Sequence, residues 1–367
     1  MSANAQNYNS WLHRFIVVTA VATFLLLGLG GLVTSHEAGM SVPDWPTSYG
    51  YNMFALPIKF WRGGAFFEHT HRLLASAVGL LTTMLAVWLW FRDSRNWMRW
   101  LGVFAFVLVA LQGVLGGLRV TLHMDNLGIV HGALAQLFFV LICVLALFTS
   151  RWWKNSVAAV YDRRSNSETS TAVADRRCSN LRWLVLFTTL LIFGQLILGA
   201  TMRHQHAGLA IPDFPLAYGK IWPDTGASAV ARYNADRIEV ISVNPITAFE
   251  IELQMVHRIM ALAVFILVAA AAWLSWKQLG GKNPLAKLAF FWLALVFVQI
   301  LLGAATIWTN KAADVATAHV LVGALSLATG ALWCAAALRR LEPMSRIEPA
   351  GTISGAFGAH PALAANK

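Results

Sequence analysis

Eight long apolar stretches, separated by short polar segments, dominate the pattern of the chain. A helix needs about 20 mostly apolar residues to cross the hydrocarbon core of a membrane, and each stretch approaches or exceeds that length. The pattern therefore predicts an all-α integral membrane protein with eight transmembrane helices. The predicted spans are residues 15–34, 70–91, 99–118, 127–149, 183–202, 253–275, 286–308 and 316–338.

The second half of the chain repeats the first. The segment Ala38–Pro46 (AGMSVPDWP) returns as Ala207–Pro215 (AGLAIPDFP), and a Tyr-Gly pair follows each copy. A Gln-x-x-x-Gly motif ends the third span at Gln112–Gly116 and the seventh at Gln299–Gly303. Four crossings return the chain to its starting side, so the halves are parallel repeats. We therefore expect two tandem pseudo-symmetric four-helix bundles.

This repeat defines the predicted domain organisation. An insertion at about 203–250 lengthens the long outer loop of the second half. The predicted parts are a cytoplasmic N-terminus (1–14), the first bundle (15–149), a polar, flexible cytoplasmic linker (150–182), the second bundle (183–338) and a disordered cytoplasmic tail (339–367).

Composition and charge agree with this class of protein. Hydrophobic residues make up 57% of the chain and charged residues 12%. The net charge of +11 has no compact basic domain to carry it, so no nucleic-acid partner is expected. Residues 1–13 contain no Lys or Arg, which argues against a cleavable signal peptide. The excess of basic residues on one side predicts cytoplasmic termini, and a bacterial inner membrane is the simplest location.

Four histidines occupy matching places near the outer ends of the even-numbered spans. They are His71, His131, His257 and His319. These spans all run in the same direction, so the four side chains are predicted at one depth. An imidazole in lipid is costly unless it has a partner, and helix bundles build cofactor sites from facing helices. The sequence thus predicts two sites, one for each pair of histidines.

Haem is the metal group that suits two imidazoles best. Zinc and copper usually require a third or fourth protein ligand, and no cysteine or carboxylate cluster accompanies the second pair. The alternative is that the histidines only hydrogen-bond to neighbouring carbonyl groups. No disulfide is predicted for the three cysteines, and surface positions are predicted for His36, His69, His123, His204 and His206.

The halves differ three residues before the first histidine of each pair. Glu68 precedes His71, whereas Gln254 precedes His257. Residues at i and i+3 share a helix face, so each side chain can approach the group that its histidine holds. A carboxylate can exchange a proton, but an amide can only hydrogen-bond. This predicts a reactive first site and a holding second site, unless Glu68 is simply an exposed carboxylate favoured by the helix dipole.

Other charged residues recur around these positions. Arg72 and Arg258 each follow a histidine and are candidate partners for haem propionates, with interfacial snorkelling as the alternative. Asp44 and Asp213 are expected to hold turns in the paired Pro-Asp-aromatic-Pro segments.

Together these residues resemble the heme A synthase family. The resemblance covers about residues 15–338 and rests on the two Glu/Gln-x-x-His-Arg motifs, the second histidine of each half and the duplicated eight-helix bundle. Members oxidise the C8 methyl group of heme O to a formyl group by successive hydroxylations, giving heme A for terminal oxidases. The resemblance implies that His71 and His131 hold heme O and that Glu68 is needed for the oxidation. It also implies that His257 and His319 ligate a haem b cofactor.

The resemblance also implies partners. These are a heme O synthase, terminal oxidase assembly factors, an unidentified electron carrier and the lipid bilayer; a homo-oligomer stays open. Some relatives carry a cysteine pair in the first outer loop, but residues 35–66 contain no cysteine here, so a thiol-based step in that loop is excluded.

Two other classes of function fit the histidines. One is a di-haem b-type electron-transfer cytochrome, and the other is a haem carrier without chemistry. The difference between Glu68 and Gln254 favours the enzyme, because two electron-transfer haems need no such asymmetry.

Overall fold

The structure is a computed structural model that describes residues 9–124, 126–153, 172–236 and 245–340. Eight of its helices are long and apolar enough to cross a membrane, which confirms the predicted all-α membrane fold. In chain order the helices are α1 (Ser10–Ser35), α2 (Gly64–Arg92), α3 (Asn96–Thr121), α4 (Asn126–Thr149), α5 (Ala172–His204), the short α6 (Ala227–Ala235), α7 (Ala248–Leu279), α8 (Pro284–Trp308) and α9 (Ala313–Arg340).

The spanning helices form two four-helix rings. In the first ring α1 packs against α2 and α4, while α3 packs against α2 and α4. In the second ring α5 packs against α7 and α9, while α8 packs against α7 and α9. The rings meet where α1 and α4 contact α9 and where α4 contacts α5. This arrangement agrees with the predicted tandem bundles.

Each ring has a buried apolar interior and an apolar outer face. Leu85 and Ile142 are fully buried in the first ring, as are Val268 and Trp292 in the second. Outward-facing side chains such as Ile266 remain 58% exposed. Apolar side chains exposed on this scale are stable when lipid covers the outer faces. The helical backbone tolerates lipid as well, because its polar groups are already paired within the helices.

Some helix boundaries differ from the prediction. Helix α5 begins at Ala172, so the last third of the predicted linker is helical rather than loop. Residues 172–181 contain no Gly or Pro, so nothing in the sequence stops the spanning helix from extending. Helix α7 begins before its predicted span because Thr247 and Glu250 form a capping box. Residues 154–171 of the linker, 341–367 of the tail and 1–8 lie outside the described residues.

Two long connections lie on the same side of the bundle, called the loop side below: residues 36–63, and the described parts of the second connection, 205–236 and 245–247. The last turn of α5 reaches the last turn of α1, where Arg203 donates a 2.5 Å hydrogen bond to the carbonyl of Gly31. The same end of α5 places His204 against Gly128 near the start of α4. The loop-side helix ends of both halves therefore lie at the same end of the bundle.

A turn of the same design occurs in each long connection. The carboxylate of Asp44 accepts hydrogen bonds from the amides of Tyr49 and Gly50. Asp213 accepts the equivalent bonds from Tyr218 and Gly219. These contacts confirm that the two aspartates hold local turns.

Candidate functional site

A glycine of the preceding membrane-spanning helix packs against each of the four histidines. A Cβ atom added to the glycine would lie between 3.1 and 3.4 Å from Cε1 of the histidine ring. Each glycine stands five residues before the last residue of its helix, which places all four contacts at one depth below the loop side. The pairs are Gly30–His71, Gly116–His131, Gly199–His257 and Gly303–His319.

Each of these rings has one buried nitrogen without a partner. Nδ1 of each of the four histidines is buried and makes no hydrogen bond, although the side chains as a whole are only half-buried. Backbone carbonyls of Leu26, Gln112 and Gln299 approach three of the rings without closing a bond of standard geometry. An imidazole that ligates a metal usually donates its other N–H to such a carbonyl.

The histidines also approach each other in the expected pairs. His71 and His131 are close enough to interact electrostatically, and so are His257 and His319. The pairs come from α2 and α4 in the first half and from α7 and α9 in the second. Their equal depth agrees with the arrangement predicted from the repeat.

Two imidazoles from facing helices could ligate a haem iron. Within the described ranges, no group of three or more His, Cys, Asp or Glu side chains is placed to hold a metal ion. Three of the four rings have a backbone carbonyl nearby that could accept the second N–H of a ligating imidazole, and the contacting glycine lets each ring pack directly against its neighbouring helix. The residues present therefore fit a haem in each half.

Glu68 is buried rather than exposed at the start of α2. Only 4% of the residue is accessible, which contradicts the alternative of an exposed helix-start carboxylate. Its Oε2 accepts a 2.9 Å hydrogen bond from the amide of Val42, and its Oε1 accepts a 2.7 Å bond from Arg72. The carboxylate thus ties the first long connection to α2.

Gln254 makes the corresponding contact in the second half. Its Oε1 accepts a 2.7 Å hydrogen bond from the amide of Ile211, and its Nε2 lies within donating distance of the carbonyls of Gly208 and Ile211. Both side chains therefore anchor a long connection. The turns in the two long connections have the same hydrogen-bond pattern. Glu68 and Gln254 therefore differ in charge rather than in the kind of segment that they anchor.

The two arginines expected near the propionates also contact the long connections. Arg72 donates to the carbonyls of Val42, Asp44 and Thr47. Arg258 donates to the carbonyls of Asp213 and Leu216. These bonds place both guanidinium groups beneath the loops rather than free in the interface.

One predicted surface histidine is buried. His36, His123 and His206 are exposed and His204 is half-buried, but only 1% of His69 is accessible. The prediction for His69 was wrong because the first long connection folds over that face of α2. The ring of Trp61 packs edge-on against His69, with 4.7 Å between the centroids.

Sequence reasoning missed the glycine contacts and two further arginines. The Gln-x-x-x-Gly repeat marked Gly116 and Gly303, but the histidines they touch belong to other helices. Arg119 and Arg203, near the loop-side ends of α3 and α5, interact electrostatically with the histidine pairs. No local pattern marked these arginines, because the glycine contacts beside them form only when the helices pack.

The fold and the site define a polytopic helical membrane protein with a duplicated histidine pair. A family model described as "Cytochrome oxidase assembly protein" matches residues 13–330, which is most of the chain. The protein belongs to the cytochrome oxidase assembly protein family.

Relatives that match over most of their length carry one name. The chain is 28% identical to the heme A synthase of Rhizorhabdus wittichii, over 88% of this chain and 92% of the relative. It is 24% identical to that of Lysinibacillus sphaericus (89% and 94% covered) and 25% identical to that of Shewanella oneidensis (87% and 94% covered). These matches confirm the family predicted from the motifs.

Proposed function

We propose that this protein is a heme A synthase, an oxidoreductase that converts the C8 methyl group of heme O to a formyl group. One observation carries the proposal: two matched histidine pairs lie at one depth, and among the residues that the structure describes only the first pair has a buried carboxylate one turn away. Membership in the family and the names of the relatives support the same activity.

The two pairs have different roles in this proposal. His71 and His131 bind the substrate heme O, while His257 and His319 ligate a haem b cofactor. When bound, the haem b iron supplies a redox centre that accepts and passes on electrons. Because the contacting glycines have no side chain, the histidine rings can pack directly against the neighbouring helices. This contact sets the depth of both histidine pairs.

Glu68 is the proposed catalytic residue. Oxidation of a methyl group to a formyl group removes four electrons and takes one oxygen atom from water or dioxygen. With water as the source, the electrons leave through the haem b cofactor and the electron carrier, four protons are released, and a carboxylate next to the substrate can accept one of them. Arg72 holds Oε1 by a charge-assisted bond, so Oε2 is the atom that can exchange a proton once it releases the amide of Val42. Gln254 cannot take this role because an amide does not bind a proton at neutral pH.

The surroundings of the reaction are part of the proposal. The protein is placed in the bacterial inner membrane with both termini in the cytoplasm, so both sites lie in the outer half of the bilayer. It receives heme O from a heme O synthase, passes heme A to terminal oxidase assembly and uses a separate electron carrier. The 15–149 and 183–338 bundles are then the substrate domain and the cofactor domain.

Extraction of the bound pigments tests the proposal. The full chain is expressed with and without a supply of heme O, and its acid-extracted haems are separated by chromatography and mass. A heme A synthase yields haem b together with heme O or heme A when heme O is supplied. A di-haem cytochrome yields only haem b under both conditions, and that result would overturn the proposed activity.

A further inference from the structure

Carboxylates that enter a membrane site need cationic partners, because an unpaired charge is costly in a low-dielectric environment. Haem b and heme O each carry two propionate groups. The arginines adjacent to the histidines, Arg72 and Arg258, already donate to backbone carbonyls of the long connections. Two further arginines, Arg119 and Arg203, lie near the histidine pairs and are additional candidates.

Arg119 lies on the loop side of the first pair. It follows the histidine-contacting Gly116 by three residues, so both share one face of α3. Its guanidinium packs over Gly39, where an added Cβ would lie 2.6 Å from Nη1, and its Nε lies 3.2 Å from the equivalent position at Gly128. Arg119 also interacts electrostatically with both histidines of the pair.

Arg203 lies on the loop side of the second pair, on α5. It follows the histidine-contacting Gly199 by four residues and therefore shares its face of α5. Its Nη2 donates to the carbonyl of Gly31 and to the hydroxyl of Ser35 on α1. It interacts electrostatically with His319. The cation thus stands one turn toward the loop side of the second pair.

The two arginines are not copies of each other. The repeat aligns Arg119 with Thr306, three residues after Gly303, and Arg203 with Thr34, four residues after Gly30. Each half nevertheless has one arginine one turn above a contacting glycine. Two different helices supply the same charge at the same depth, which indicates a requirement for that charge beyond the packing inherited from the repeat.

We propose that Arg119 and Arg203 bind propionate carboxylates of the tetrapyrroles held by the first and second histidine pairs. The propionates then point toward the loop side, where water and cations are closest, and the apolar edge of each ring points into the bundle. This inference rests on the proposed function, because it takes the ligands of both pairs to be haems.

A comparison of two probes tests the inference without relying on activity. The full chain is produced in haem-depleted cells and titrated with ferric haemin or with haemin dimethyl ester, whose propionates are neutral. The variant His71→Ala/His131→Ala confines binding to the second pair, and the bis-histidine absorbance band reports occupancy. We expect haemin to bind about 10-fold more tightly than the ester, which corresponds to one charge-assisted contact.

Substitution of the arginine then identifies its partner. Arg203→Gln should bind haemin and the ester equally, and it should lower the midpoint potential of the haem because loss of a nearby cation favours the ferric state. Arg203→Lys keeps the charge without the planar fork and should retain part of the preference. The lysine variant decides the case if the glutamine variant aggregates. The same design in a His257→Ala/His319→Ala background tests Arg119→Gln at the first pair.

Arg258→Gln is the matched control, and it should keep the preference for haemin. The inference is overturned if Arg258→Gln rather than Arg203→Gln abolishes the preference. It is also overturned if the chain with both arginines intact shows no preference for haemin over the ester. A third contradicting result is that Arg203→Lys binds both probes with the same affinities as the parent. Failure of both probes to produce a bis-histidine band would overturn the proposed function itself, and the inference with it.

Discussion

Nη2 of Arg72 donates a 2.7 Å hydrogen bond to Oε1 of Glu68, one turn earlier on α2. The pair is buried, and Glu68 also accepts the amide of Val42. In the second half, Gln254 accepts the amide of Ile211 through its own side-chain oxygen. A glutamine therefore suffices to anchor a long connection, so the negative charge of Glu68 is not needed for that contact.

This comparison makes Glu68→Gln the sharpest test of catalysis. The variant should keep the loop contact and bind heme O, but heme A production should fall roughly 100-fold or more, the usual contribution of a proton-transferring group. Loss of the ion pair should cost about 1–3 kcal/mol of stability, which thermal unfolding measures separately. Chromatography of extracted haems gives the activity.

The matched control for this test is Gln254→Glu, which places a carboxylate in the second half. It should leave the yield of heme A close to normal, because the second pair holds the cofactor. A Glu68→Gln protein that makes heme A at the parent rate would reduce Glu68 to a loop anchor.

The two histidine pairs should respond differently to removal of a ligand. His257→Ala should lose the b-type absorbance, since a haem with one axial imidazole is held weakly in the second pair. His71→Ala should keep that absorbance and lose bound heme O instead. Reduced-minus-oxidised spectra of membranes, together with extracted haem content, measure both effects. Equal loss of haem b in the two variants would contradict the assignment of separate roles.

Much of the fold follows from short-range patterns in the sequence. Eight apolar runs define the helices because the bilayer sets their length, and the repeat places four histidines at one depth. The Glu68–Arg72 pair could also be predicted from the sequence, since residues at i and i+4 meet on a helix. What the pattern did not reveal is how the first long connection folds back, because that depends on contacts between residues distant in sequence.

His69 and Gly116 illustrate this limit. His69 looked like a surface residue because it faces away from His71, yet Trp61 of the long connection covers that face. Gly116 appeared in a repeated motif, but its role depends on the ring of His131 on another helix. Neither contact has a local signal, because both arise only when the helices have packed.

The glycine contacts predict which side chains the histidine sites tolerate. Gly116→Leu should displace the ring of His131, whose Cε1 lies 3.4 Å from the position of an added Cβ. We expect heme O retention to fall sharply, with a smaller effect for Gly116→Ala, whose methyl group makes an ordinary contact. Gly113→Leu on the same helix is the control, since nothing lies within 4 Å of its added Cβ. Similar retention in Gly116→Leu and Gly113→Leu would contradict a role for the contact.

The first long connection should loosen in acid through Asp44. Partial burial raises the pKa of this carboxyl, but hydrogen bonds from Thr47, Gly50 and Tyr49 outweigh it and hold the pKa below its usual value. A lowered folded-state pKa means that the stabilising contribution is fully present above the unfolded pKa, about 3.9. The contribution is lost as the pH falls through the lower folded value. Little change is therefore expected between pH 7 and pH 5.

Hydrogen–deuterium exchange of a peptide covering residues 42–52, corrected for the intrinsic effect of pH, measures this loosening. Asp44→Asn should give the acid-like exchange pattern already at pH 7, because the amide offers a single acceptor oxygen to bonds that now use both carboxylate oxygens. Asp213 holds the matching turn of the other half. The control variant Asp213→Asn should therefore leave residues 42–52 protected. Full protection in Asp44→Asn at pH 7 would show that the turn persists without this carboxylate, since the ring and backbone contacts of the connection would then suffice to hold it over Glu68.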